Sequence, residues 1–122
     1  MLKTAFQIES EIIRGVFLQA LYDAGKAVRA KTVRAVLAQM YGLVEWADFI
    51  LQAEYLVGEQ LIRVFPVEQD ASDEIEPAQY LAMCKRMTAA SPDAMKIGMQ
   101  IEQRGRRFVE GNEPEVKGVE RY

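Results

Sequence analysis

Residues 31–57 read KTVRAVLAQMYGLVEWADFILQAEYLV. In the first part Val33, Val36, Leu37 and Met40 fall at i, i+3, i+4 and i+7, one face of an amphipathic helix, and Gly42 predicts its end. The second part, Leu43 to Val57, is also helix-length, but eleven of its fifteen residues are apolar, three are acidic and none is Lys or Arg. A helix apolar on most sides must be covered. Its apolar residues divide into two stripes: Phe49, Ala53 and Leu56, continued by Leu61, and on a different side Trp46, Ile50 and Val57. The first predicts contact with the chain's own core. The second exceeds what one helix of a small monomer needs and predicts a protein interface; the alternative is that the first helix or an inserted helix folds over it.

Upstream, Thr4 with Gln7 three residues on is a capping-box pattern. Ile13, Val16, Phe17, Ala20, Leu21 and Ala24 then repeat at helical spacing until Gly25, predicting a first helix over about Ala5 to Ala24. Ile8 and Ile12 lie off that stripe and widen it, which adds them to the expected interface. A short extended piece is expected around Ala27 to Ala30. Downstream, LIRVFPV (61–67) is rich in β-branched and aromatic residues, and Pro66 confines it to an edge or a strand end. Met95 to Glu102 alternates, with Met95, Ile97, Met99 and Ile101 on one face, and is expected to pair antiparallel with 61–67. Between the two strands, Pro77 followed by Ala78 to Ala90 reads as a helix through Tyr80, Met83, Cys84 and Met87, a strand from Tyr80 to Met87 being the weaker alternative. Arg104 to Glu110 is expected as a short basic helical turn.

The sum is a mainly α chain with a small β-hairpin, in the layout of a winged helix-turn-helix with an inserted helix between the wing strands. That domain is expected over residues 1–110, with 67–94 as an acidic loop plus the inserted helix, and 111–122 as a C-terminal tail.

Composition bounds the function. The chain has 122 residues, half of them hydrophobic, enough for one modest core. Fifteen Lys and Arg against eighteen Asp and Glu leave a net charge of −3 and no global field to collect nucleic acid. The acids concentrate in EQDASDEIE (68–76), which reads as a solvated connection. There is no His, and the single Cys84 lies at helical spacing with Tyr80 and Met87, as a small buried hydrophobe would. The usual general base and the strongest nucleophile are therefore missing, no phosphate loop or metal-ligand spacing is present, and no enzyme, cofactor or metal is expected. With no signal peptide, no spanning segment and no paired cysteines, a cytoplasmic location is expected.

The run KTVRAVLAQMYGLVEWADFILQAEYLVGEQLIRV (31–64) resembles the winged helix-turn-helix of small proteins of Mu-like phages and prophages that carry an ArsR-like label. The ending IEQRGRRFVEGNEPEVKGVER (101–121) is similar to the ending of that family at Glu102, Arg104, Gly105, Val109, Gly111, Gly118, Val119 and Arg121. This resemblance implies a phage-encoded, DNA-binding transcription regulator. The third helix departs from the family in lacking a polar N-cap and solvent-facing Arg and Thr, and residues 68–93 look like an insertion. Metal sensing, which the label implies in other branches, needs cysteines that this chain lacks.

For DNA, the candidate phosphate contacts are Lys26, Arg29, Lys31 and Arg34 around the second helix and Arg104, Arg106 and Arg107 after the wing. A helix-turn-helix presents the start of its recognition helix to the major groove, which names Glu45, Trp46, Asp48 and Gln52 as base readers. Acids there repel phosphate, and only Gln52 is a common reader. The competing expectation is a non-catalytic phage structural or adaptor protein whose winged helix binds protein, with Ile8, Ile12, Trp46, Ile50 and Val57 as its interface or as that of a homodimer.

Overall fold

A computed structural model describes residues 2–67 and 76–122 of the chain. It contains five α-helices and a three-stranded antiparallel sheet among the described residues. Helix α1 spans Ala5–Ala24 as the pattern predicts. The Thr4 hydroxyl accepts from the Gln7 backbone N–H, and the Gln7 side chain accepts from the Thr4 N–H at 2.8 Å, so two otherwise orphan donors are satisfied. Gly25 closes the helix in the left-handed region at φ 70°. Ile13, Val16, Phe17, Leu18, Ala20 and Leu21 are buried along one side, whereas residues 5–9 project into solvent.

The chain then makes strand β1 (Val28–Arg29) and enters helix α2 (Ala30–Met40), where Val33 and Leu37 are buried and Val36 and Met40 half-buried. Helix α2 stops before Gly42: the N–H groups of Tyr41 and Gly42 both donate to the Leu37 carbonyl, ending the helical ladder at Met40. Helix α3 covers Trp46–Gly58, three residues shorter at its start than the apolar run suggests. Val44 is fixed outside it, its side chain buried and its carbonyl accepting from Arg34 Nε at 2.8 Å, so Glu45 becomes the N-cap and makes no side-chain cap bond.

Strand β2 (Ile62–Pro66) and strand β3 (Ile97–Ile101) pair antiparallel, Val64 opposite Met99, and β3 also pairs with β1, giving the order β1-β3-β2. The alternation in β3 places Ile97, Met99 and Ile101 in the core. Gly98, expected on the outer face, is buried as well, because the Phe65 and Val67 side chains lie over it. Met95 and Lys96 belong to a 3-10 turn, Pro92–Lys96, rather than to the strand, and Met95 is exposed.

Helix α4 (Pro77–Arg86) is the expected inserted helix, ended at Arg86, with Met87 extended after it. It buries Tyr80, Leu81 and Cys84 and packs against α3 and β2. The acidic connection at 68–75 lies outside the described residues. Helix α5 (Gln103–Val109) packs against α1 and buries Phe108, while its Gly105 is buried against the Leu61 carbonyl and Ile101.

The last segment corrects an expectation. Residues 111–122 form no regular element, yet they are a packed strap rather than a free tail: Val116 and Val119 are buried. Arg14 donates to the Gly118 carbonyl (2.9 Å), the Tyr55 hydroxyl to the Lys117 carbonyl (2.7 Å) and the Glu120 N–H to the Glu11 carbonyl (3.1 Å). Two glycines permit this. Gly118 sits at φ +80° with Tyr55 and Arg14 where a Cβ would project, and at Gly15 the Glu120 carbonyl occupies the Cβ position. A segment with two apolar anchors looks polar by composition; its burial follows from the groove that α1 and α3 offer.

Candidate functional site

The third helix is where the sequence concentrates its contradiction, and side-chain geometry resolves it. Trp46 and Ile50 are 5% and 1% exposed and Val57 is half-buried against the core, all within one chain. The expectation that this stripe faces a partner is therefore corrected. Over its C-terminal part the cover is the inserted helix: Glu54, one turn beyond Ile50, meets Lys85 of α4 at 2.5 Å, and Val57 and Leu81 line one groove. Trp46 itself packs against Phe49, whose ring stacks on Phe17 at 4.9 Å between centroids. Among the described residues the Trp46 Nε1–H has no hydrogen-bond partner. Of the other expected interface residues, Ile12 is half-buried against the core and Ile8 remains exposed.

The same geometry removes two of the four expected base readers. Gln52 is fully buried: its Oε1 accepts from Arg14 Nε at 2.7 Å, and its Nε2 donates to Asp48 Oδ1 at 3.0 Å and to Ser10 Oγ at 3.2 Å. All its strong bonding capacity is spent between α1 and α3. Trp46 is core. Asp48 is half-buried and held by Gln52, which leaves Glu45 as the one freely exposed member of the set.

Arg14 and Ser10 were not singled out by spacing, and nothing local marks them. Arg14 lies with its guanidinium 3.6 Å from the Tyr55 ring centroid, so one cation on α1 ties α3 and the strap together. The only textual signal is an Arg in the middle of an otherwise apolar helix stretch.

The expected phosphate contacts are divided. Arg34 donates to the Val44 carbonyl and holds the α2–α3 turn, and Arg29 donates to the Met95 carbonyl at 2.6 Å. Arg104 lies between Glu59 and Glu113, and Arg107 pairs with Glu113 at 3.1 Å. Arg106 is half-buried beside Tyr22 and Glu110. Lys26 is exposed and Lys31 half-buried. The cationic side chains after β3 thus brace α5 and the strap instead of forming an open patch.

What α3 shows to solvent is a ridge of Ala47, Leu51 and Gly58, with Glu54 partly exposed and Glu45 at its start; Leu51 is 45% exposed. Across from it the projecting turns of α1 carry exposed Phe6, which lines one depression with Tyr55 of α3. Tyr41 joins the same side: partial burial and then the neighbouring Glu9 carboxylate push its hydroxyl pKa up, with Asp48 adding to the effect. Cys84 is fully buried and burial pushes its thiol up to about 11, which makes it an inert core group.

No family model, no curated protein and no solved structure matches the chain.

Proposed function

We propose that the chain is a non-catalytic winged-helix protein, of the phage type that its sequence resembles, whose third helix binds a protein partner instead of DNA bases. The element order α1-β1-α2-α3-β2-α4-β3, with α4 as the insertion and the sheet order β1-β3-β2, supports the winged-helix reading. The observation that carries the functional reading is the outward face of α3. It offers Ala47, Leu51 and Gly58 with acids beside them, and no Lys or Arg occurs between Arg34 and Arg63. A reading helix needs donors for base edges and must approach two phosphate backbones; this one has no cation and meets phosphate with carboxylates. Helix α4, packed along α3, takes up further room beside it.

The competing reading is a DNA-binding regulator. It draws on the winged-helix order and on exposed Lys26 and Arg29 with Lys31 at the start of α2. Titration of the purified chain against mixed-sequence duplex DNA at low and moderate salt separates the two. We expect no binding at low salt. Micromolar binding that weakens steeply with salt and is lost in the Lys26→Ala/Lys31→Ala variant overturns the protein-binding reading.

A further inference from the structure

Resting on the protein-binding reading, we infer that the outward face of α3 takes a basic amphipathic helix of a partner protein. The ridge is one helix wide. Ala47 and Leu51 stand one turn apart, Gly58 lies two turns further, and the small residues at either end of Leu51 let a second helix approach closely. Helix α3 has 13 residues, so at about 1.5 Å per residue the seat is about 20 Å long and fits three to four turns of a partner.

Beside this seat the exposed Phe6 of α1 widens the apolar surface across Tyr55. Large exposed apolar groups grouped in this way mark contact surfaces. The charge around them selects the partner. Glu45 and Asp48 flank the start of the ridge with no ion-pair partner among the described residues, Glu9 stands with Tyr41 on the α1 side, and Glu54 further along is already paired with Lys85. Of the cations nearby, Lys85 is paired with Glu54 and Lys3 with Glu11, Arg14 is half-buried on Gln52 and Gly118, and exposed Lys117 lines the Phe6 depression with Tyr55. An acidic partner is repelled here, and an uncharged one leaves the carboxylates without an attractive counterpart. A helix with an apolar stripe and Lys or Arg on its flanks satisfies both parts of the surface.

The test uses the full chain and two fluorescein-labelled, designed 18-residue helices with the same Leu stripe, one flanked by Lys and the other by Glu, in fluorescence anisotropy. The Lys-flanked peptide is expected to bind with a dissociation constant on the order of micromolar, and the Glu-flanked one at least ten times more weakly. Leu51→Ser and Glu45→Lys, both at exposed positions without structural bonds, are each expected to weaken binding about tenfold, with thermal midpoints unchanged. Absence of binding, or binding indifferent to Leu51→Ser, overturns the inference. Tighter, Leu51-dependent binding of the Glu-flanked peptide overturns the basic partner while leaving the protein-binding reading intact. Duplex DNA binding in the salt titration removes that reading beneath it. Self-association in sedimentation velocity that Leu51→Ser abolishes makes the occupant a second copy and likewise overturns the inference.

Discussion

Gln52 shows how much one side chain's surroundings decide. By type it is the one common base reader on α3, yet it is sealed between Arg14, Ser10 and Asp48. Gln52→Ala leaves Arg14 short of an acceptor in a half-buried site, and a cost of about 2 kcal/mol in urea unfolding is expected. Trp46 supports a second prediction. Its indole N–H makes no bond among the described residues, so Trp46→Phe sacrifices packing only, whereas Trp46→Ala opens a cavity. Chemical denaturation is expected to show a loss of about 3–5 kcal/mol for Ala and much less for Phe. Equal losses would mean that the indole nitrogen is bonded after all. Cys84 sets a pH limit. Its folded-state pKa, about 11, lies above the ordinary value of 9.0, so the stability from keeping the thiol neutral is complete below pH 9 and is lost as pH rises toward 11. Tyr80, pushed up by burial first, acts in the same direction. Thermal midpoints measured from pH 7 to 11 are expected to fall above pH 9, with a smaller fall in Cys84→Ala.

At the scale of elements, two pieces that look peripheral in the text hold the fold together. Helix α4 covers the Ile50 side of α3, so Leu81→Ala is expected to cost about 2–5 kcal/mol. The strap is fastened at Gly15, where any Cβ meets the Glu120 carbonyl backbone. In a free helix Gly→Ala is worth up to about 1 kcal/mol in favour of Ala. Here the contact reverses the sign: Gly15→Ala is expected to lower the thermal midpoint and to speed hydrogen exchange at the Glu120 amide. A raised midpoint would show the strap to be loosely held. The α1 boundaries, the two longer strands and the existence of α4 were legible because local chemistry sets them: a capping box, a Gly stop, β-branched runs and a Pro at the first helical turn. The strap was not legible, since Val116 and Val119, two valines in an otherwise polar segment broken by Gly and Pro, give no period to read.

For the whole molecule, the Trp46 and Ile50 stripe that motivated a homodimer is covered within one chain, and on the outward side of α3 and the neighbouring turn of α1 the exposed apolar groups include Leu51 and Phe6. Acids stand beside these groups, Glu45 at the start of α3 and Asp48 in its first turn. Amino-acid sequence alone determined the element types, the alternation that faces β3 inward and the acidic, lysine-free character of α3, because each depends on residue chemistry within one or two turns. Only the tertiary structure decided which side of α3 is surface. Ile50 and Gln52 are separated from their cover, α4 for the first and α1 for the second, by about thirty to forty residues of chain, and Trp46 packs through Phe49 on Phe17 of α1. Helical period can sort side chains into stripes, but it cannot say which stripe a distant helix will occupy.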